Sequence, residues 1–138
     1  MNIRIVNTLD SIQTAKLHFL YQKEWFTKGR TLEDIETMLE HTDFVFGFCD
    51  AKTNELVGFA RVVSDSIYKA FVFDVIVEEG YRSKGLGRLV MDTIFNHPVL
   101  KHVSHIELYC PEHLVSFYEP MGFKIRTSLL LRRERASD

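Results

Sequence analysis

A positively charged, glycine-containing turn follows an apolar stretch of the chain. The stretch ends with Val75-Ile76-Val77, and the turn reads Arg82-Ser83-Lys84-Gly85-Leu86-Gly87-Arg88. A helical pattern starts within this turn. Backbone N–H groups at a helix start have no intrahelical acceptor and lie at the positive end of the helix dipole. Glycine lacks the Cβ atom that would hold a ligand away. The pattern therefore predicts a binding site for a diphosphate group at residues 82–88.

Two common phosphate-binding motifs do not fit this turn. The dinucleotide-binding fingerprint needs a third glycine and a later acidic residue, and the chain has Val90 at the position of that glycine. The P-loop needs Gly-Lys followed by Ser or Thr, whereas Gly85 is followed by Leu86. With these two motifs excluded, the turn is described by the pattern Arg-x-x-Gly-x-Gly, which directly follows a predicted strand.

A second block lies about thirty residues beyond the turn, at residues 117–123, and reads Phe-Tyr-Glu-Pro-Met-Gly-Phe. In order, spacing and setting, the two segments resemble two signatures of GNAT (GCN5-related N-acetyltransferase) proteins. These are the pyrophosphate-binding pattern Arg/Gln-x-x-Gly-x-Gly/Ala and the late Phe-Tyr-x-x-x-Gly-Phe block. The resemblance extends over essentially the whole chain, from two opening helices to the final strands.

The resemblance implies how acetyl-CoA, the co-substrate of the family, would be held. Backbone N–H groups of residues 83–88 would surround the pyrophosphate, with Arg82 and Lys84 near the phosphates. The edge of the strand at residues 75–77 would pair with the pantetheine arm, and an N–H near Ile76 or Val77 would polarise the thioester carbonyl. The implied cofactor-binding residues are Ile76, Val77, Arg82, Ser83, Lys84, Gly85, Leu86, Gly87 and Arg88.

Tyr118 and Asp74 are the candidate catalytic residues. Tyr118 matches the tyrosine that protonates the departing thiolate in many GNAT proteins, although an aromatic residue at the edge of the core would look the same. Asp74 interrupts an apolar strand, and three roles stay open for it: general base, substrate anchor or structural hydrogen-bond acceptor. Cys110, with His113 nearby, is a weaker candidate nucleophile, because GNAT proteins generally use direct attack on the thioester.

Two further regions bear on the substrate sites. Many GNAT proteins carry an asparagine after the strand that precedes the last helix, but this region contains Pro111, which donates no N–H. One pantetheine contact is therefore in question. The loop between the first two helices borders the acceptor site in the family and contains Trp25, Phe26 and Arg30. We expect one of its aromatic residues to lie in the core and the other to line the acceptor pocket.

The elements that position these residues follow from hydrophobic periodicity, in the order β-α-α-β-β-β-α-β-α-β. Strands are predicted at residues 3–5, 44–48, 56–63, 70–77 and 105–110, with one or two more within 123–131. Helices are predicted from about residues 12 and 32, and over 85–97 and 112–119. The fold class is α/β (α+β), with a β-α-β crossover that gives two parallel strands. The resemblance implies the GNAT acyl-CoA N-acyltransferase fold, a mixed six- to seven-stranded sheet with helices on both faces.

Composition bounds the class of protein. The 138 residues, 46% of them hydrophobic, fit a single domain over residues 1–138 and argue against disorder. A formal net charge of −2 disfavours nucleic acid as a partner. The N-terminal residues carry no apolar run, and no stretch is long enough to span a membrane, so we expect a cytoplasmic protein with no membrane partner. Its two cysteines should be reduced, and its histidines form no metal-ligand pattern.

The function implied is acetyl-CoA-dependent N-acetyltransfer to the primary amine of a small molecule or peptide, by direct attack on the thioester. Two alternatives stay open: a non-catalytic acyl-CoA sensor, and a protein acetyltransferase acting on lysine or a chain terminus. Dimers are frequent in the family, so the resemblance also allows a homodimer. The acceptor and the preferred acyl length are not encoded in any motif of the chain.

Overall fold

The computed structural model describes residues 1–136, and its elements follow the predicted order through the fifth strand. The strands are β1 (Ile3–Val6), β2 (Phe44–Asp50), β3 (Leu56–Ser64), β4 (Lys69–Val77) and β5 (His105–Leu108). The α-helices are α1 (Ser11–Tyr21), α2 (Leu32–His41), α3 (Leu86–Phe95) and α4 (Val115–Tyr118). Short 3₁₀ turns occupy Glu79–Tyr81, Leu100–His102, Glu112–Leu114 and Glu119–Met121.

Side-chain caps fix where α1 and α2 begin. Asp10 accepts from the Gln13 backbone N–H at 2.8 Å, and the Gln13 side chain accepts from the Asp10 N–H at 2.9 Å. Thr31 accepts from the Asp34 N–H at 3.2 Å. These bonds satisfy amides that have no intrahelical acceptor. With the helix starts fixed, the α1–α2 loop is held beside the sheet. No helix in residues 1–136 is long and apolar enough to cross a membrane.

The sheet has the order β1-β2-β3-β4-β5. β1 to β4 pair antiparallel with their sequence neighbours, as short connections allow. β4 and β5 pair parallel, because the chain between them crosses one face of the sheet through α3. The predicted crossover is therefore confirmed, and it places β5 beside the strand that precedes the charged turn.

The expected strand count of six to seven was wrong for the described residues, which form five strands. Residues 124–131 have apolar side chains typical of a strand, but they pair with no other segment, and Leu131 is 89% exposed. A strand is stabilised by its partner's hydrogen bonds and by burial of one face, and neither is present here. Propensity alone therefore overestimated the sheet.

Helices cover both faces of the sheet, as expected. α3 packs on one face over a core that includes Phe46, Val62 and Val72. α1 and α2 pack on the other face over Val45, Phe59 and Ile76. β3 contributes side chains to both cores, Val57, Ala60 and Val62 to the first and Leu56 and Phe59 to the second, which explains why this strand is buried on both faces.

Candidate active site

A gap opens between β4 and β5 halfway along β4. The parallel pairing runs from Lys69–His105 to Val72–Leu108 and stops there. β4 continues to Val77, while its antiparallel pairing with β3 continues to the Gly58–Val77 pair. Residues 73–77 therefore have a strand neighbour on one side only. Their other side is an open strand edge, the feature that an extended ligand can pair with.

The direction of the amides in this segment identifies which ones are free. Glu78 N–H donates to the Val57 carbonyl of β3 at 2.8 Å. Since successive residues of a strand point their amides to opposite sides, the amide of Ile76 also faces β3, and those of Val75 and Val77 face the gap. Arg82 Nε donates to the Val77 carbonyl at 3.0 Å from that open side.

Ile76 and Val77 were the two residues expected to donate a backbone N–H to the thioester. The N–H of Val77 faces the gap and is free for a ligand, whereas the N–H of Ile76 faces β3. Val75, which the sequence analysis did not select, presents its amide beside that of Val77. The alternation of strand amides could have revealed Val75 if the pairing side of β4 had been known. The Ile76 side chain is buried in the core beneath α1 and α2.

The charged turn presents a row of unpaired amides. Its backbone is left-handed at Ser83 (φ 63°) and at Gly85 (φ 85°), the residue before α3. The first helical bond runs from Leu89 N–H to the Gly85 carbonyl at 3.0 Å. Within residues 1–136, the amides of residues 83–88 accordingly have no backbone acceptor. Two left-handed residues in a short turn with free N–H groups are compatible with a concave anion site, so the turn could accommodate a pyrophosphate.

The two glycines of the turn serve different purposes. Gly85 needs its left-handed φ, and a Cβ built there would meet no atom within 4 Å. A Cβ on Gly87 would lie 3.2 Å from Phe117 Cζ. Gly87 thus lets α3 approach the segment that carries Tyr118, which joins the two motif blocks in space. The expectation that both glycines make room for a ligand stays a prediction, and at Gly87 the contact with Phe117 gives a second reason for the missing Cβ.

The basic side chains of the turn have internal partners. Arg82 Nη2 lies 3.0 Å from Glu24 Oε1 in the α1–α2 loop. Lys84 Nζ lies 5.8 Å from the centre of the Tyr81 ring. Arg88 Nε lies 3.1 Å from Asp92 Oδ1, one helical turn further on. All three charges stay at the turn, and Glu24 links the α1–α2 loop to it.

Tyr118 is almost buried, at 7% exposure, between the rings of Phe117 and Phe123. Its hydroxyl has no hydrogen-bond partner among the described side chains and carbonyls. Burial, and then the nearby Cys110 thiol, raise the pKa of Tyr118 to about 12. The phenol therefore stays protonated at neutral pH and offers an uncommitted O–H donor, as proton donation to a leaving group requires.

Asp74 lies in a β-bulge at the start of the gap. β3 has one residue, Ala60, between Phe59 and Arg61, whereas β4 has two between their partners Ile76 and Phe73. The extra residue takes a left-handed backbone at Asp74 (φ 56°), which is uncommon for a residue with a side chain. The bulge turns the Asp74 carboxylate toward α1 and the α1–α2 loop.

Three donors converge on one oxygen of that carboxylate. Asp74 Oδ2 accepts from Arg30 Nη1 at 2.7 Å, from Arg61 Nε at 2.7 Å and from Tyr21 Oη at 3.0 Å. Burial works to raise the pKa of Asp74, but hydrogen bonds and charges from both guanidinium groups outweigh it and lower the pKa. A carboxylate held this way is a weak base, so the geometry favours the anchor or structural role. Sequence reasoning missed Arg61 and Tyr21.

The aromatic residues of the α1–α2 loop lie at the surface. Trp25 is 79% exposed and stacks edge-on against Phe26, which is also exposed. The expectation that one of them belongs to the core was wrong, because this face of the sheet is already filled by α1 and α2 side chains. Arg30 from the same loop does reach the site through Asp74.

Cys110 does not have the properties of a nucleophile. Burial raises the pKa of its thiol, which leaves little thiolate at neutral pH. Cys49 and Cys110 are not joined by a disulfide in this structure. No group of three or more His, Cys, Asp or Glu side chains in residues 1–136 is arranged to hold a metal ion.

Comparison with known proteins points to one family. The sequence profile of the Acetyltransferase (GNAT) family matches residues 8–123. GCN5-related N-acetyltransferase 1, chloroplastic, from Arabidopsis thaliana is 29% identical over 133 residues, 93% of this chain and 67% of that protein. Serotonin N-acetyltransferase 2, chloroplastic, from Oryza sativa subsp. japonica is 35% identical over 96 residues, 68% of this chain and 48% of that protein.

Solved structures match the chain in fold. A crystal structure of a protein assigned to the GNAT family from Xanthomonas campestris pv. campestris matches with a TM-score of 0.82 at 24% identity. The match covers 97% of this chain and 94% of that one, and at this identity it shows the fold alone. The chain spans about half to two thirds of the length of the curated relatives described above.

Proposed function

The chain belongs to the GNAT acetyltransferase family, and on that premise we propose that it transfers the acetyl group of acetyl-CoA to an amine. The observation that supports this most directly is the open edge of β4 leading into the amide-lined turn at residues 83–88. An extended arm and a diphosphate fit these two features in succession. Acetyl-CoA contains both groups, together with the thioester that supplies the acetyl carbon.

Different residues along the β4 edge and the turn bind different parts of acetyl-CoA. The free amides of residues 83–88 hold the pyrophosphate, and Arg82 and Lys84 add positive charge beside it. The amides of Val75 and Val77 hold the pantetheine arm along β4, and one of them donates to the thioester carbonyl as negative charge develops on its oxygen. The side chain of Arg82 fastens the turn to the end of β4 through the Val77 carbonyl.

The chemical step needs one proton removed and one supplied. As the N–C bond forms and the C–S bond breaks, the amine loses a proton and the sulfur gains one. Tyr118 supplies a proton from its free hydroxyl to the leaving sulfur and recovers one from solvent. The lowered pKa of Asp74 makes its carboxylate a poor acceptor, so we assign the amine proton to water. The catalytic role of Asp74 stays a prediction that its substitution tests.

The experiment that tests the function measures thiol release from acetyl-CoA with a panel of amines, with acetyl-CoA affinity measured separately by calorimetry. Release that depends on an amine supports the proposal. Tight binding with no release on any amine, lysine peptide or peptide N-terminus would favour an acyl-CoA sensor. Release with peptides only would favour a protein acetyltransferase. Absence of binding would overturn the assignment of the site.

Location and assembly are part of the proposal. We propose a cytoplasmic protein with no nucleic-acid or membrane partner, although the two curated relatives carry the word chloroplastic in their names. A homodimer is the assembly expected from the family. Light scattering on purified protein, across a concentration series, measures the mass directly and distinguishes monomer from dimer.

A further inference from the structure

The cluster around Asp74 carries more positive than negative charge. Arg30 and Arg61 both bond to the single carboxylate of Asp74, and Tyr21 is held neutral because burial and the nearby carboxylate raise its pKa. The cluster therefore has a net charge of +1. Its side chains are 5% exposed for Asp74, 16% for Arg61 and 32% for Arg30. A partly buried surplus charge is unfavourable unless an anion compensates it.

The Arg61 guanidinium has N–H groups without an acceptor within residues 1–136. Its Nε bonds to Asp74 at 2.7 Å, and no described side chain or carbonyl accepts from its two terminal nitrogens. Asp74 fixes the guanidinium in place, so the free edge of this group is already oriented. A guanidinium edge with two parallel N–H groups matches the two oxygens of a carboxylate. If Asp74 needed only one counter-charge, Arg30 would supply it without Arg61.

The cluster also lies where an acceptor must approach. Asp74 immediately precedes Val75, whose amide faces the gap between β4 and β5. Arg61 lies over the ring of Phe73 at 4.8 Å. The Phe73 ring stacks on Phe71 at 4.9 Å, and Phe71 contacts Tyr109 of the β5 end at 4.7 Å. A charged group and an aromatic surface thus stand side by side at the edge of the gap.

We propose that Arg61, with Arg30, binds a carboxylate of the acceptor, so that the preferred acceptors are amines that also carry a carboxylate. This inference rests on the proposed function and adds the class of acceptor to it. The aromatic surface of Phe71, Phe73 and Tyr109 would contact the apolar body of such a molecule. Asp74 acts in this arrangement as a positioning residue for the arginines.

The test compares matched acceptors that differ only in the carboxylate. The pairs are phenylalanine with phenethylamine, β-alanine with ethylamine, and γ-aminobutyrate with propylamine, which also vary the distance between the two groups. We expect kcat/KM to favour the carboxylate member of at least one pair by roughly tenfold to a hundredfold, the range of a charge-assisted hydrogen bond. Equal or better use of every decarboxylated member would overturn the proposal.

Substitution of Arg61 assigns the effect to this cluster. Arg61→Gln should abolish most of the carboxylate preference while acetyl-CoA affinity, measured by calorimetry, stays unchanged. The control Arg132→Gln makes the same change on an exposed arginine near the C-terminus and should keep the preference. Arg61→Lys retains the charge and serves if the glutamine variant does not fold. Preference retained in a folded Arg61 variant would contradict the assignment.

A binding measurement separates this inference from the proposed function. Calorimetry in the presence of CoA would compare N-acetylphenylalanine with N-acetylphenethylamine, and the carboxylate compound should bind more tightly to the wild type but not to Arg61→Gln. If no amine is acetylated, the proposed function fails and this comparison still decides the inference. If amines are acetylated and the two compounds bind equally, the inference alone fails.

Discussion

At the scale of single residues, the feature that matters most is the hydroxyl of Tyr118, which has no internal partner although the ring that carries it is buried. Tyr118 has rings packed on both sides and no internal partner for its O–H. Within residues 1–136 no fully buried side-chain nitrogen or oxygen lacks a hydrogen-bond partner, so the Tyr118 oxygen reaches solvent even though its ring is buried. A hydroxyl that is exposed in this way and has no internal partner is free to donate to a ligand. Donation to a leaving thiolate needs such an O–H group.

Replacing Tyr118 with phenylalanine tests this role. Because the ring remains, folding and acetyl-CoA affinity should hardly change, whereas kcat should fall by roughly 10²–10⁴-fold when chemistry limits the rate. The control is Tyr68→Phe, which removes the hydroxyl of an exposed tyrosine in the β3–β4 turn. Wild-type kcat in Tyr118→Phe would remove this residue from the mechanism and leave solvent or Cys110 as proton source.

Asp74→Asn tests the second catalytic candidate. The substitution leaves two guanidinium groups facing each other without their counter-charge, and we expect a loss of roughly 2–3 kcal/mol in the free energy of unfolding. This is below the range for fully buried pairs, because Arg30 is about a third exposed. Chemical denaturation measures it. Normal kcat in the folded variant would exclude a role as base, whereas lost kcat with intact stability and acetyl-CoA affinity would support that role.

At the scale of elements, the proposed function makes the turn and the gap one continuous binding surface for acetyl-CoA. The turn fixes the amides at residues 83–88, and the divergence of β4 from β5 exposes those of Val75 and Val77. Both depend on α3, which connects the two strands and begins at the turn. A change in the turn backbone should therefore affect ligand binding more than it affects the sheet.

Gly85→Asp tests the turn. The new side chain adds negative charge where a phosphate would lie. Because residue 85 has a left-handed backbone, a residue with a Cβ there also lowers the free energy of unfolding by about 1–2 kcal/mol. Acetyl-CoA affinity by calorimetry should fall steeply while the protein remains folded by circular dichroism. Gly29→Asp is the matched control, since Gly29 is also left-handed (φ 96°) with no atom near its missing Cβ. Equal losses of affinity in the two variants would contradict a phosphate site at Gly85.

At the scale of the whole molecule, the Asp74 cluster ties together α1, the α1–α2 loop, β3 and β4. Tyr21, Arg30 and Arg61 reach Asp74 from three separate segments. Such a junction should contribute to global stability and not only to the site. Because the junction depends on the charge of the Asp74 carboxylate, its contribution to stability should depend on pH.

The sign of this dependence follows from the lowered pKa of Asp74. The native state binds fewer protons at this group than the unfolded chain, so its contribution is fully present above the unfolded pKa of about 3.9 and is lost progressively as pH falls from there through the lower pKa of the folded state. Urea midpoints measured from pH 7 to pH 3 should decrease at the acid end. They should decrease less in Asp74→Asn. Parallel curves for the two proteins would show that Asp74 does not carry the dependence.

The sequence by itself determined the parts of the protein whose causes are local. The caps of α1 and α2, the glycine-containing turn and the block at residues 117–123 all lie where they were predicted, because each depends on residues a few positions apart. These segments were enough to select the turn at residues 82–88 and Tyr118 as candidates for the site. They also gave the order of elements from β1 to α4.

The tertiary structure alone decided which groups meet. The partners of Asp74 come from positions 21, 30 and 61, and no local pattern links them. The bulge that turns this carboxylate toward them depends on the register of β3 against β4. Pairing likewise decided that residues 124–131 form no strand and that Val75 and Val77 face the gap. Register, pairing and charge neutralisation are set by contacts between distant segments, and such contacts exist only after those segments have packed together.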